Sequence, residues 1–126
     1  MELDKVFWVS VGAVIGANAR YFLGAWAAER FGTTFPYGTL IINLTGSLIL
    51  GFFLALATER ALIDPRYRLL IAGGFCGSYA TFSTDTYESI TLMLSGSWAL
   101  GLLNLLGSTV LGLGAVGLGI LLGRNV

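Results

Sequence analysis

The chain has 126 residues, of which 56% are hydrophobic and only 11% are charged, and its mean hydropathy is +0.81. Soluble domains carry about 25% charged residues, so this composition excludes an ordinary soluble domain and predicts one bilayer-embedded domain. Seven Lys and Arg balance seven Asp and Glu, which argues against a nucleic-acid ligand. The chain has no histidine, the commonest metal ligand and general base, and its one cysteine, Cys76, permits no intrachain disulfide.

The first apolar stretch, about 6–28, is predicted to span the membrane as a helix. Trp8 and Trp26 stand near its two ends, where aromatic residues anchor spans at the interfaces. The spacing Gly12-x-x-x-Gly16 predicts a face that packs closely against another helix. Arg20 lies in the outer part of the span, where a cation must pair or extend towards water. A functional role and simple extension to the interface are equal alternatives for this arginine.

The second predicted span, about 39–58, carries polar or small residues at every fourth position. This spacing places Thr39, Asn43, Ser47 and Gly51 on one stripe of an otherwise apolar helix. Small polar residues often serve only to join helices. Asn43 differs, because a buried carboxamide has two donor hydrogens and an acceptor oxygen to satisfy, and a polar ligand is one way to satisfy them.

The third predicted span, about 69–94, contains a stretch that apolar burial cannot explain. As one helix it would be roughly 40 Å long, against ~30 Å of hydrocarbon. Glycines and then hydroxyl residues in the run Gly73–Glu88 weaken helical structure, so we predict a break over Gly77–Ala80 in mid-membrane. Freed backbone groups at that depth must be buried in protein or line a wet cavity. Phe82 and Asp85, three residues apart, are predicted to share one face of the restarted helix.

A fourth span is predicted at about 98–122. Asn104, Ser108 and Gly112 repeat the polar or small stripe of the second span, and Gly119-x-x-x-Gly123 supplies another packing face. The matching stripes predict a polar seam shared by the two helices. The predicted fold class is therefore an all-α membrane protein, a single domain with four spans whose third is broken. Four helices of this size barely enclose a pathway, so a homo-oligomer is expected.

Several stretches together resemble the Fluc/CrcB family of fluoride channels. The most specific is Gly73 to Glu88 with its core Thr81-Phe82-Ser83-Thr84, and Gly38 to Leu44, Gly12 to Arg20 and Ser108 add to it. The resemblance covers the whole chain in length and span order. It implies a small inner-membrane protein, not an enzyme, that lets fluoride leave the cytoplasm passively and gives fluoride resistance. It also implies a homodimer, commonly of antiparallel subunits, with two pores near the interface.

The same resemblance implies roles for individual residues. Phe82 and position 85 match the aromatic wall of the pore, and Asn43 matches a donor to the ion. Gly77 and Ala80 match positions whose backbone carbonyls hold a structural sodium ion on the dimer axis. The remaining pathway positions are Ser83 and Thr84 at the third-helix break, Thr39 and Ser108 along polar stretches, and Arg20 near the mouth.

The chemistry of fluoride agrees with these roles. The ion is small and holds its water tightly, so a pore must replace that shell with donors at short range. Asn43 and the hydroxyls can do so. The edge of the Phe82 ring adds a weak anion contact, because an aromatic quadrupole is positive at its rim.

Three residues depart from the family pattern. Asp85 stands where the family usually has an aromatic, Ala80 where threonine is common, and Asn104 at a position often aromatic or His. Ala80 can still hold sodium because the ligand is a backbone oxygen. An ionised Asp85 about 4 Å from the ion, at an effective dielectric near 20, would oppose fluoride by about 4 kcal/mol and so impair passage. The alternatives for Asp85 are a wet vestibule or a pair with Arg20.

Two other functions compete with the channel. A small multidrug exporter also uses four short spans and dimers, but such proteins resemble one another in a carboxylate inside the first span, which this sequence lacks. A structural membrane protein whose glycines serve only packing leaves Asn43, Thr84 and Asp85 unexplained. Binding of fluoride to the purified protein separates the three.

Overall fold

A computed structural model describes residues 2–59 and 63–126, and every regular element in these two ranges is helical. The predicted all-α fold class is therefore confirmed. Three elements are long helices: α1 (Glu2–Phe31), α2 (Tyr37–Glu59) and α7 (Trp98–Arg124). Four shorter segments lie between α2 and α7: α3 (Pro65–Tyr67), the π-helical α4 (Arg68–Cys76), α5 (Gly77–Tyr79) and α6 (Phe82–Leu94).

By length and composition, the three long helices of the described chain could each cross a membrane. They contain the three predicted spans that begin near residues 6, 39 and 98. The predicted third span, 69–94, falls instead on the succession α4, α5 and α6. Gly32 and Gly96 have φ values of 81° and 98°, a backbone region that only glycine enters freely. They turn the chain after α1 and before α7.

Helical structure is interrupted at Ala80 and Thr81, which separate α5 from α6. Both residues are extended, with φ and ψ of −100° and 141° at Ala80 and of −145° and 132° at Thr81. The interruption overlaps the predicted break, Gly77–Ala80, only at Ala80, because Gly77 begins α5 and the preceding glycines lie inside α4. A glycine weakens a helix by only about 1 kcal/mol, which tertiary contacts readily offset.

The contact between α1 and the segment α4–α5 explains those glycines. A Cβ at Gly12 would overlap Leu70 O, and a Cβ at Gly16 would overlap the hydroxyl of Ser78. Gly74 faces α1 in the same way and has no room for a side chain. The predicted Gly-x-x-x-Gly face of α1 is therefore confirmed, and small residues on both sides let the two backbones touch.

The helices α2 and α7 form a second closely packed pair. Gly119 and Gly123 of α7 lie against the backbone of α2, and Gly51 of α2 lies against the backbone of α7. This confirms the packing face predicted for the last helix. In one half of the pair the two predicted stripes meet at Ser47 and Gly112, where Ser47 Oγ would be 3.9 Å from a Cβ at Gly112. This contact joins a hydroxyl to a glycine, so the predicted polar seam is not confirmed there. In the other half, the polar residues of both helices turn towards residues 79–89.

Candidate functional site

A groove of about 550 Å³ lies between α1, α2 and α6, beside the interruption in the helical backbone. Gly24, Gly32 and Gly38 line it, so small residues leave space where α1 turns into α2. Polar groups in an otherwise apolar bundle mark a functional site, and several converge here. The polar side chains on its walls include Arg20, Thr39, Asn43, Thr81, Thr84, Tyr87, Glu88 and Thr91.

Two charged side chains of the described chain face the groove, Arg20 from α1 and Glu88 from α6. Arg20 Nε and Glu88 Oε1 are buried, and within residues 2–59 and 63–126 neither atom has a hydrogen-bond partner. The Thr39 hydroxyl lies within hydrogen-bonding reach of the Glu88 carboxyl, and Asp85 is close enough to act on that carboxyl electrostatically. Unpaired ionisable groups are costly inside a membrane and are kept where they act on ions or substrates. The groove therefore offers one positive and one negative group to a polar species.

The Asn43 side chain holds Thr81, the second residue of the interruption. Its Oδ1 accepts a hydrogen bond from Thr81 N at 3.1 Å, and its Nδ2 donates to Thr81 O at 3.4 Å. One carboxamide thus pairs with both backbone groups of an extended residue, which would otherwise lack their helical partners. A carboxamide nitrogen has two hydrogens, so one hydrogen of Asn43 is left for the groove.

The residue that precedes the interruption is also held by α2. The Tyr79 hydroxyl lies 2.7 Å from Thr45 Oγ1, and Tyr79 is 5% exposed. Gly46 lies directly under the interruption, since a Cβ there would be 2.9 Å from the Ala80 Cβ. Neighbouring positions of α2 therefore contact the chain before the interruption and within it.

Phe82 and Ser83 lie on the outer surface of the chain rather than in the groove. Phe82 is 72% exposed. Ser83 is also exposed, and its hydroxyl lies 2.9 Å from Thr81 Oγ1. The predicted pathway residues that do line the groove are Arg20, Thr39, Asn43 and Thr84.

Asp85 faces α7 and is only 3% exposed. Asn104 Nδ2 donates to Asp85 Oδ1 at 2.9 Å and to Ser89 Oγ at 2.9 Å. Phe82 and Asp85 lie three residues apart on α6 as predicted, but Phe82 is exposed and Asp85 is buried. The alternatives of a wet vestibule and a pair with Arg20 are wrong for the described chain. The physical reason is that α7 brings a carboxamide to Asp85, which satisfies the carboxyl inside the bundle.

Ser108 belongs to the same buried cluster and not to the groove. It lies one turn after Asn104 on α7, is 7% exposed and acts electrostatically on the Asp85 carboxyl. Its Oγ makes no hydrogen bond within the described residues. The pathway role predicted for Ser108 finds no groove contact in the single chain.

Two residues at the site have no role in the sequence predictions. The role of Glu88 was predictable, because it is a carboxylate inside an apolar run and lies four residues after Thr84, on the same helix face as that residue. Tyr79 carried none, because its partner Thr45 lies 34 residues away along the chain.

The fold and the groove define a class of protein, a small all-helical membrane protein that crosses the bilayer several times and builds a charged, polar recess between its helices. The profile of the family described as CrcB-like protein, Camphor Resistance (CrcB), matches residues 7–120. The chain therefore belongs to the CrcB-like family.

Its relatives carry one common name, fluoride-specific ion channel FluC. The protein of that name from Koribacter versatilis is 51% identical over 116 residues, which cover 92% of each chain. That from Trichormus variabilis is 53% identical over 117 residues, 92% of this chain and 85% of the relative. That from a Synechococcus species is 50% identical over 123 residues, 98% of this chain and 95% of the relative.

Proposed function

We propose that this protein is a passive, fluoride-selective channel and that the ion passes along the groove between α1, α2 and α6. One observation carries the proposal: Arg20, with a buried Nε that has no partner in the described chain, shares the walls of a single recess with the neutral donors Thr39, Asn43 and Thr84. The names of the relatives support it, since each states specificity for fluoride. The activity is transport and not enzymatic catalysis.

In this proposal, neutral donors in the groove replace the water around fluoride, and charged residues set how strongly the ion is held. Fluoride needs donors at short range, and the hydroxyls of Thr39 and Thr84 and the second amide hydrogen of Asn43 supply them. Arg20 attracts the anion into the groove, whereas Glu88 opposes it. Opposite charges on the same walls keep each binding site shallow, and conduction requires shallow sites that the ion can leave.

We further propose that α4 to α6 form a third span, broken near mid-membrane, in a four-span protein of the inner membrane. Interrupted backbone cannot face lipid, yet Gly77, Phe82 and Ser83 around the break are exposed in the single chain. A second copy of the chain provides the cover, and the family resemblance favours the antiparallel arrangement. Phe82 then lies between two subunits, where its ring edge can line the pathway.

Size-exclusion chromatography with light scattering in mild detergent tests the dimer. We expect a protein mass of twice the 13.4 kDa of one chain. A monomeric mass in both detergent and lipid nanodiscs would contradict the proposed dimer but not the proposed ion path along the groove.

A structural sodium ion is proposed at the carbonyl oxygens of Gly77 and Ala80. Two observations fit it: Thr81 N donates to Asn43 Oδ1 and not to the Gly77 carbonyl four residues earlier, and the ψ of 141° turns the Ala80 carbonyl out of the helical direction. Both oxygens thus remain suitable for a hard cation, which takes oxygen ligands. The ion would supply a positive charge that holds carbonyl dipoles of two subunits together. Dimer stability should fall when sodium is replaced by N-methylglucamine, and equal stability in both salts would contradict the site.

Fluoride release from liposomes tests the main proposal. Vesicles loaded with potassium fluoride and containing the protein should release fluoride when a potassium ionophore is added, whereas protein-free vesicles should not. Vesicles loaded with potassium chloride should keep their anion, because donors at short range around fluoride leave too little room for the larger chloride ion. No fluoride release, or equal release of both anions, would overturn the proposal.

A further inference from the structure

The helix α6 carries a buried polar cluster on the face adjacent to its groove-lining residues. The hydrogen-bonded members of this cluster are Asp85 and Ser89 of α6 and Asn104 of α7, which are 3%, 1% and 1% exposed. Its hydrogen bonds are side chain to side chain and connect two different helices. Such bonds fix the orientation of the groups that they join.

Asn104 stands at the centre of the cluster. Its single nitrogen donates to Asp85 Oδ1 and to Ser89 Oγ, each at 2.9 Å, so both of its hydrogens are used. The neighbouring packing leaves Asn104 little freedom, because Gly101, one turn earlier on α7, lies against Ser89 O and the Met93 side chain. The amide is thus held from both α6 and α7.

Asp85 lies next to the groove face on the circumference of α6. Thr84 and Glu88 line the groove, and Glu88 is a helix-surface neighbour of Asp85 because it lies three residues further on. The two carboxyls are close enough to interact. A different side-chain rotamer of Asp85 would bring its carboxyl towards the groove beside Glu88.

We propose that Asn104 is a positioning residue that holds the Asp85 carboxyl against α7 and out of the groove. This inference rests on the proposed function of the groove. With Asn104 in place, the groove contains the charges of Arg20 and Glu88, one of each sign. Without it, a second carboxyl joins Glu88 and repels an anion. Asp85 and Asn104 therefore act as a pair. Asp85 without Asn104 opposes fluoride passage, whereas Asn104 without Asp85 has no carboxyl to position.

Paired substitutions test the proposal in the liposome assay, with fluoride release expressed per folded dimer. Asn104→Leu should lower fluoride release by about tenfold or more, because a carboxylate within a few ångströms opposes the ion. It should also move the reversal potential away from the fluoride equilibrium value, since an added negative charge favours cations. The double variant Asp85→Leu, Asn104→Leu should return to within about twofold of the unsubstituted protein. Thr109→Val is the matched control on α7, because Thr109 is exposed and bonds only its own helix at Leu105 O.

A purely structural role predicts a different pattern. In that case Asn104→Leu lowers the yield of folded dimer, leaves the reversal potential unchanged, and gains no fluoride release per dimer when Asp85 is removed as well. Either an unchanged reversal potential in Asn104→Leu or a failure of the double variant to regain fluoride release per dimer overturns the proposal.

Chemical labelling tests the position of the carboxyl independently of fluoride. A water-soluble carbodiimide with glycinamide should modify Glu88 and spare Asp85 in the unsubstituted protein, and it should modify Asp85 at least about tenfold faster in Asn104→Leu. Peptide mass spectrometry assigns the two sites. Absence of fluoride release from the unsubstituted protein would remove the proposed function alone, whereas an unlabelled Asp85 in Asn104→Leu would overturn the positioning role.

Discussion

The two carboxylates of α6 lie one turn apart and have opposite surroundings. Asp85 is buried against α7 and accepts a hydrogen bond from Asn104. Glu88 faces the groove, and its buried Oε1 has no hydrogen-bond partner within the described residues. The same helix therefore has one carboxyl that accepts a hydrogen bond from another helix and one carboxyl whose Oε1 has no partner within the described residues.

The partner of a membrane-embedded carboxyl, and not its position in the sequence, decides what that carboxyl does. Both residues stand in the same polar stretch, and the family resemblance singles out position 85 rather than Glu88. Because the Asn104 carboxamide on α7 binds Asp85, it is Glu88 and not Asp85 that faces the groove. Buried polar groups that find partners contribute to the fold, whereas those that do not are the candidates for contact with an ion.

The largest effect on stability is expected from disturbing the contact between α6 and α7. A Cβ at Gly101 would be 2.6 Å from Met93 Cγ and 2.7 Å from Ser89 O. Gly101→Ala should therefore lower the free energy of unfolding by about 2–3 kcal/mol, because the backbones of α6 and α7 must separate. Gly24→Ala at the groove is the matched control, since a Cβ there would meet only Ile42 Cδ1, at 4.0 Å. Thermal unfolding in detergent measures both, and an equal loss in the two variants would refute the contrast.

A smaller effect is expected at the start of α6, where Asn43 holds Thr81. Asn43→Leu should cost about 1–2 kcal/mol of stability, because the N–H and C=O of Thr81 lose their partner beside a groove that water can enter. Fluoride release should fall as well, since the variant removes a donor from the groove wall. Asn18→Leu is the control: Asn18 is exposed and bonds only Val14 O of its own helix. If Asn43→Leu unfolds at the temperature of the Asn18 variant, the bond to Thr81 does not support the interruption.

The two carboxylates can be compared directly by neutralising each one. Glu88→Gln should lower fluoride release by about tenfold, close to 1.4 kcal/mol, because Arg20 is left uncompensated and holds the anion too long. Asp85→Asn should change release by less than about twofold, because its carboxyl does not face the groove. Release per folded dimer is the measurement. A larger effect of Asp85→Asn than of Glu88→Gln would reverse the assignment of the two faces.

The smallest effect is expected from a third carboxylate, Asp64, which is paired in solvent. Its side chain accepts hydrogen bonds from Arg66 N at 2.9 Å and from the Arg66 guanidinium at 2.6 and 3.0 Å. The hydrogen bonds from Arg66 lower the pKa of Asp64 below its usual value. A lowered pKa stabilises the folded state above the usual value and stops doing so as the pH falls through the lowered one. Asp64→Ala should therefore lower the unfolding temperature slightly at pH 7, with the difference disappearing below about pH 4. If the difference in unfolding temperature grows as the pH falls, the ionised Asp64 side chain does not stabilise the folded state.

Features that depend on local spacing were predictable from the sequence. The Gly-x-x-x-Gly faces at Gly12 and Gly119 follow from residues four apart, and the structure confirms both. The groove donors Thr39, Asn43 and Thr84 follow from polar residues at helical spacing together with the family resemblance.

Features that depend on distant partners were not predictable. The position of the interruption is set by Asn43 and Tyr79 contacts across 38 and 34 residues of chain, whereas glycine propensities place it too early. The orientation of Asp85 depends on Asn104, 19 residues away. In both cases a side chain on another helix overrides the local preference, and no residue pattern within the segment itself encodes that choice.

The last helix is built in the opposite sense to a helix of a water-soluble protein. Its buried arc consists of small or polar residues, among them Gly101, Asn104, Ser108 and Gly119, while leucines such as Leu102, Leu106 and Leu113 point outwards. Lipid accepts the outward leucines at any rotation of the helix about its axis. Burial of apolar surface therefore sets no azimuth for α7, and that angle is selected by the small-residue contacts and by the hydrogen bonds of Asn104. Substitution tolerance along α7 should follow the same geometry, with large residues interchangeable on the outward arc and almost none admitted on the inward one.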